Sequence, residues 1–592
     1  MMLNKIGREI PNKVQGFGEI KPYNGPFAEV KMGNVYGRKV KRVKPNDSKM
    51  LESIEEAIKK TGLKDGMTIS FHHHFREGDY ILNMVIDAIA KMGIKNLTLA
   101  SSSLNNVHAS LVKYIKDGVI TSITTSGLRG TLADEISNGL MENPVIIRSH
   151  GGRARAIECG DIKIDVAFLG VPSCDNYGNA NGYNGKSFCG SLGYAKIDAK
   201  YAENVVLITD NLVPYPNVPA SISQTDVDYI VQVEAIGNPQ GIVSGATRYT
   251  KNPKELLIAK YAAEVIEASG YLVDGFSMQT GSGGAALAVA RFIKQSMIEK
   301  NIKASFVLGG VTGQLVEMYE EGLVDKILDV QSFDLRAAKS IKDNLGHCEI
   351  DASLYANPFN RGSVVNLLDF VILSALEVDT DFNVNVITGS DGVIRGASGG
   401  HCDTAAGAKM SMIVCPLIRG RIPTIVDKVT TVITPGETID VVVTDRGVAV
   451  NPLRQDIIQK LSNTNIPIFT IEELKNKAES ITGKPEKIEF EENVTYIPTK
   501  FIKYIELCIS ENNKYIEMAD YFNLMIRSNL FNIVDLYIMQ ELEQPTIKEK
   551  IIEKVQDKMK NTEIKLINGE NEQLELSEYF ETAISKICEF NF

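Results

Sequence analysis

The sequence predicts an α/β protein with mostly parallel sheets, arranged as two similar halves and followed by a small C-terminal helical module. Three observations carry this reading. From Leu51 onward, short apolar runs alternate with amphipathic segments of helical length. A second series of the same kind begins near Asn252. Both series place glycine-rich loops directly after apolar runs, where open α/β sheets bind ligands. Strands that alternate with helices imply βαβ units and parallel pairing.

The elements follow in order. Residues 1–50 are rich in Gly, Pro, Lys and Asn and show no periodicity. They read as an extended arm over the first domain, with Asn24-Gly25-Pro26 as a turn. In the first domain, 51–250, Leu51, Ile54 and Ile58 suit one helix face. Met67–Phe71 reads as a strand, followed by a polar loop and a helix over Tyr80–Met92. Asn96–Ala100, Val145–Ile147, Val166–Leu169 and Val205–Thr209 read as further strands. In the second domain, 251–490, Lys254–Ser269 reads as a helix. Ser305–Leu308, Lys326–Val330, Ser411–Val414 and Ile439–Val443 read as strands. No repeat of fixed short period is visible.

The character changes near Ile505, and 505–592 reads as a mainly helical module. Thr546-Ile547-Lys548-Glu549 after Pro545 is a capping-box pattern. Ile547, Ile551, Val555 and Met559 then recur on one helix face. Ile564–Ile567 and Leu574–Leu576 around Asn568-Gly569 predict a hairpin. Ser577–Phe590 reads as a last helix.

Bulk properties narrow the function. The 592 residues carry 44% hydrophobic and 23% charged side chains, enough apolar material for substantial cores. Net charge is −11 and the pI is about 5.4, which argues against a nucleic-acid partner held on a basic surface. A local arginine cluster can still oppose the global sign and hold an anion. No window approaches 18 uncharged apolar residues, so no membrane span is expected. The N-terminus lacks a signal-like apolar core, and the eight cysteines form no CxxC pair. Reduced thiols in a cytoplasm are the expectation.

Five segments could carry chemistry. The first is Asp274–Ala286, where Gly281, Gly283 and Gly284 open a helix and could cradle an anion. Close helix–strand packing would demand the same glycines. The second is the pair of loops Gly389–Gly392 and Gly396–Gly400, with His401 and Asp403 after them. Such loops can present backbone N–H groups to an anion or acyl oxygen. His401, after Gly399-Gly400, could polarise a carboxylate or carry a proton, or could bond a backbone group. The third is His72-His73-His74. Neighbours on a strand point to opposite faces, so a metal site is not expected. His73 and Arg76 lie where a substrate carboxylate would be met, or belong to a loop whose polar groups satisfy one another. The fourth is Ser149–Arg155, whose Arg153 and Arg155 suit an anionic ligand or a solvated turn. The fifth is Glu377, set among apolar residues, either a perturbed functional carboxylate or a structural ion-pair partner. No P-loop or GxGxxG fingerprint is present.

Several blocks, in one order, resemble the transferase (alpha) subunits of citrate lyase. They are ISFHHHFREGD (69–79), SGLRGTLADEISNG (126–139), the stretch 149–182, the stretch 215–248, DGFSMQTGSGG (274–284) and the segment from Val384 to Pro416. The resemblance covers about residues 10–490 and fades after about Ile488. It implies two tandem CoA-transferase-like (NagB/RpiA-like) domains. It also implies a CoA-transferase reaction in which acetyl is exchanged for citryl on the thioester of an acyl carrier protein, with acetate released. The implied partners are the beta (lyase) and gamma (acyl carrier) subunits, in an oligomeric assembly. The gamma subunit would bring the phosphoribosyl-dephospho-CoA arm, and no tightly bound cofactor is expected on this chain.

CoA transferases that form a covalent enzyme–CoA intermediate use a glutamate in a GxHxE-like motif. Gly275–Gln279 falls at that place here, and the Gln279 amide cannot attack as a carboxylate would. The resemblance then implies attack by the substrate's own carboxylate through a mixed anhydride, with Gln279 and Gly281–Gly284 orienting the thioester carbonyl. Two other readings remain open. One is a free CoA-transferase or acyl-CoA hydrolase with Glu377 as nucleophile. The other is a non-catalytic scaffold that binds the carrier. Citramalate is not separated from citrate as the acceptor.

Overall fold

The computed structural model describes residues 1–14, 18–28, 37, 41, 43–44, 46–243, 250–281, 283–485, 566–567 and 573–574. Two compact units emerge: Met1–Ser137 with Val145–Ile488, and Asn138–Pro144 with Glu489–Phe592. The first unit holds two large sheets.

One sheet has eight strands, all paired in parallel. Its central strand, Thr68–Phe71, lies between Leu97–Ser101 and Val166–Gly170. The other sheet has nine strands, and its strand Phe276–Thr280 lies between Ala304–Val311 and Phe370–Ser374. It is parallel except at the hairpin Val441–Thr444/Gly447–Val450. Both strand orders run outward from the first strand of the half and then return to its other side. Helices cross between successive strands, as parallel pairing requires. The strands are apolar and buried on both faces, which is how a sheet covered by helices reads.

Each half also carries a small three-stranded sheet: Ser173–Asp175 with Ala180–Asn181 and Leu212–Val213, and Glu377–Asp379 with Val384–Asn385 and Ile425–Val426. An aspartate organises each one. Asp175 accepts from the backbone N–H of Tyr177, Gly178, Asn179 and Asn217. Asp379 accepts from those of Asp381, Asn383 and Val429. The shared device is a buried carboxylate satisfying a tight turn and a distant loop.

The expected strands appear with boundaries shifted by one to three residues. Several strands escaped the sequence reading, among them Ile120–Thr125, Tyr229–Gln232, Phe276–Thr280 and Phe370–Ser374. Their runs are short or studded with Ser, Thr and Gln, so an apolar count misses them. Burial comes from helices packed on both faces. The N-terminal arm differs from expectation. Its first residues pair as Met2–Leu3 with Glu9–Ile10 and dock on the second half. Arg8 donates to the carbonyls of Val429 and Thr430, and Lys5 pairs with Glu437. Only later does it reach the first half, through Lys41 with Asp228 and the strand Met50–Leu51.

In the tail, Leu566–Ile567 and Gln573–Leu574 pair antiparallel, so the hairpin exists with a longer connection than Asn568-Gly569 alone. The helices expected over 546–559 and 577–590 lie outside the described residues. Among those described, no helix is long and apolar enough to cross a membrane.

The two halves meet closely at Gly193. A Cβ there would lie 2.4 Å from the Ile350 carbonyl oxygen and 2.6 Å from that of Val330. Backbone cannot yield as a side chain does, so Gly193→Ala should lower stability by about 1–3 kcal/mol, read from denaturant unfolding.

Candidate active site

A cavity of about 370 Å³ lies between the carboxyl ends of the two sheets. From the first half it takes His73 after the strand Thr68–Phe71, Arg76 in the turn Arg76–Gly78, Arg129 before the helix Gly130–Ser137, and His150 at the start of His150–Glu158. From the second half it takes Gln279 on the strand Phe276–Thr280 and Tyr355 in the short helix Ala352–Ala356. The loop 396–400 closes one wall.

That loop joins the halves. Ser398 N–H donates to the Ser126 carbonyl at 2.9 Å, and Leu128 N–H donates to Gly396. His150 N–H donates to the Gly399 carbonyl at 2.7 Å. A Cβ on Gly127 would lie 2.1 Å from the Ala397 Cβ, so glycine is required where the segments cross. Ser149 Oγ and Gly151 N–H both donate to Asp403, at 2.6 and 2.9 Å. The helix bearing His150 is therefore capped by its own Ser149 and clamped by a carboxylate of the other half.

Four arginines line the cavity: Arg395 is paired with Asp391, Arg419 donates to the Ala375 carbonyl, and Arg76 and Arg129 make no such pairing. Arg76 sits at φ 53°, a left-handed conformation that costs a non-glycine residue on the order of 1–3 kcal/mol. Its guanidinium lies 4.8 Å from the Phe333 ring centroid, and Nη1 is buried without a partner. Burial, reinforced by the neighbouring Arg129 charge, lowers its pKa to about 10, and it remains a cation at neutral pH. Arg129 has no hydrogen-bond partner among the described residues. Among the described residues, no Asp or Glu lines the cavity.

The imidazoles are neutral. His73, His150 and Tyr194 stack with centroids 4.5–5.6 Å apart. Removal from bulk water, then the nearby cations, pushes His73 well below its ordinary value and His150 down to about 3. His73 Nδ1 is 2.6 Å from Ser102 Oγ.

Four polar atoms on the cavity wall are buried without partners: Arg76 Nη1, Asn105 Nδ2, His150 Nδ1 and Gln279 Oε1. Buried polar groups are almost always paired, so this convergence marks a place built for a polar ligand. Among the described residues no group of three or more His, Cys, Asp or Glu is arranged to hold a metal ion.

Of the residues expected from sequence, His73, Arg76, Gln279, Gly281, Gly399, Gly400 and His401 line the cavity. The others do not. Arg153 is buried in a two-pronged pair with Asp198, at 2.7 and 2.8 Å. Arg155 pairs with Asp161 and stacks on Phe359. Glu377 accepts from Ser390 Oγ and, at 3.0 Å, from Asn385 Nδ2, which anchors the turn Gly389–Gly392. Gly283 and Gly284 serve packing, since a Cβ on Gly284 would lie 2.5 Å from Glu255 Oε2. That helix N-terminus meets the chain's own carboxylate. His401 is on the wall, but its ring is committed. Nε2–H donates to the Ser374 carbonyl at 3.0 Å, so Nδ1 accepts from Thr434 Oγ1 at 2.6 Å. Burial lowers it to about 4, and no proton is left to shuttle. Arg129, His150 and Tyr355 were missed. The first two lie inside blocks already singled out, where the Arg153 and Arg155 charges drew attention past His150. Tyr355 carries no local signal.

Solved structures of low identity share the fold. The malonate decarboxylase alpha subunit from Acinetobacter baumannii aligns with a TM-score of 0.56 at 15% identity, over 74% of this chain and 86% of that one. The likeness shows a shared α/β fold. A family model for the citrate lyase alpha subunit matches residues 47–508. The citrate lyase alpha chain of Haemophilus influenzae is 61% identical over 458 residues, 77% of this chain and 91% of the relative. That of Escherichia coli is 58% identical over 454 residues, 77% and 89%. The crystal structure of the Streptococcus mutans alpha subunit of citrate lyase in complex with citrate aligns with a TM-score of 0.80 at 63% identity, over 83% of this chain and 96% of that one. The chain belongs to the citrate lyase alpha subunit family. A winged helix domain model matches residues 487–590.

Asp403 yields a pH prediction. Removal from water raises its carboxyl from 3.8 to about 6, despite the hydrogen bonds from Ser149 and Gly151. The folded state thus holds this proton more tightly than the unfolded chain. That contribution is complete below about pH 4 and is lost as pH rises through 6. His150 and His401 act oppositely, losing stability as pH falls below 6.5. Asp403→Asn should therefore gain stability relative to the parent as pH rises from 4 to 6, measured by urea unfolding. A pH-independent difference would refute the assignment.

Proposed function

We propose that this chain is the transferase subunit of citrate lyase, exchanging acetyl for citryl on the thioester of an acyl carrier protein. One observation carries the reading: among the described residues the cavity wall presents four arginines and unpaired donors, and no carboxylate. A wall of this kind suits a polycarboxylate, and it offers no Asp or Glu to attack a thioester. The substrate's own carboxylate is then the nucleophile.

The step balances as follows. A citrate carboxylate oxygen attacks the acetyl thioester carbonyl, and the carrier thiolate leaves. The product is a citryl–acetyl anhydride. The thiolate then attacks the citryl carbonyl, and acetate departs. The chain's part is positioning and charge stabilisation. Arg76 and Arg129 hold carboxylates, with Asn105 Nδ2 as a further donor. The buried Tyr355 hydroxyl, its pKa raised by burial, stays protonated. Neutral His73 and His150 present polar edges without adding charge that would hold product acetate. The phosphoribosyl-dephospho-CoA arm of the gamma subunit would enter the cavity, and the beta subunit would cleave the citryl thioester. The alpha-chain relatives fit a multi-subunit assembly.

Intact mass measurement of acetylated carrier, incubated with this chain and citrate, should show conversion from acetyl to citryl mass. Unchanged acetyl carrier would favour a scaffold, and simple deacetylation a hydrolase. Arg76→Ala and Arg129→Ala should each raise the citrate KM at least about tenfold, since truncating one partner of a buried charge pair costs about 2–5 kcal/mol. If the carrier KM rises instead, the arginines serve the carrier's phosphates.

A further inference from the structure

We propose that Gln279 selects a hydroxyl-bearing acid as acceptor, by accepting a hydrogen bond from the substrate hydroxyl on Oε1. The inference rests on the transferase reading above and gives this residue a different task from holding the thioester carbonyl.

The geometry is specific. Gln279 stands near the carboxyl end of the strand Phe276–Thr280 and is 7% exposed. Its Nε2–H donates to the Tyr355 hydroxyl oxygen at 2.9 Å. Its Oε1 is buried and has no hydrogen-bond partner among the described residues. On one side the carboxamide packs on Gly309, which sits at φ 101°. A Cβ there would lie 2.7 Å from Gln279 Cδ. The amide is held at one end by Tyr355 and bounded on one flank by backbone. What it offers the cavity is an acceptor.

An unpaired buried acceptor is costly, and the ligand must supply the donor. Carboxylates, acetate and a thioester carbonyl only accept. In a citrate-like acid, the hydroxyl is the group that donates. Of the other three unpaired wall atoms, Arg76 Nη1 and Asn105 Nδ2 are donors and match the carboxylates, while the neutral His150 Nδ1 can serve either way. Donors for carboxylates and one acceptor for a hydroxyl together describe a hydroxy-polycarboxylic acid. The selection also has a chemical consequence. A thioester without a β-hydroxyl cannot undergo retro-aldol cleavage, so loading such an acid would leave the carrier blocked.

The test compares citrate with tricarballylate, which keeps three carboxylates and replaces the hydroxyl by hydrogen. Citryl and tricarballyl transfer to the carrier is measured as kcat/KM by mass spectrometry. A site built around a hydroxyl rejects the analogue lacking it by roughly 10⁴-fold. Gln279→Met keeps the shape and removes the amide. It should reduce that preference at least tenfold, with citrate slowed and tricarballylate unchanged or faster. Tyr355→Phe, which frees the amide to turn, should move the preference in the same direction and covers the case in which the Met variant fails to fold. An equal loss for both acids would overturn the proposal, because the amide would then act on a group the two share. A parent protein that transfers neither acid would instead refute the transferase reading.

Discussion

The pairing of 396–400 with 126–128 and with His150 is the constraint on which the site depends. Two sheets of the same strand order could each bury a core alone, yet neither holds a complete set of ligand-facing groups. The backbone hydrogen bonds from Ser398, Leu128 and His150 bring the carboxyl ends of both sheets to one cavity. Glycines are needed at this seam because two backbones cross within the space of one methyl group. Asp403 adds a charged clamp from one half onto the helix of the other.

Within that frame, electrostatics are arranged by exclusion. The chain is acidic overall, yet among the described residues the cavity wall holds guanidinium groups and no carboxylate. The acids near it are spent elsewhere: Asp198 on Arg153, Glu377 on Ser390 and Asn385, Asp403 on Ser149 and Gly151. Burial keeps the histidines neutral, so the positive field comes from arginine alone. The strain at Arg76 and the unpaired wall atoms are costs carried by the fold, offset when an anionic ligand arrives.

Much of the architecture was readable in the chain. The strands Val166–Gly170, Asn204–Thr209 and Met410–Val414 are apolar runs bounded by turn residues, and their burial follows from composition. Strands such as Ile120–Thr125 were not, because alternating hydroxyl residues look exposed until helices cover both faces. Of the site, the residues next to a strand end or a glycine turn were readable: His73, Arg76, Gln279, Gly399 and Gly400. Arg153 and Glu377 misled for one reason. A charged side chain amid apolar neighbours has the same sequence signature whether it meets a ligand or a partner such as Asp198 or Ser390.

The sequence by itself determined the α/β class, the doubled series of strands and helices, and the loops where ligands would be met. These follow from periodicity and turn chemistry, which act over a few residues. Only the tertiary structure decided which polar atoms are satisfied and which are left open. Arg129, His150, Gln279 and Tyr355 are far apart in the chain, and their convergence depends on how two sheets dock. Whether Arg153 is a ligand or a strut, and whether Gln279 offers a donor or an acceptor, is set by a partner more than forty residues away. No local pattern can report such a pairing, because its energy exists only once the halves have met.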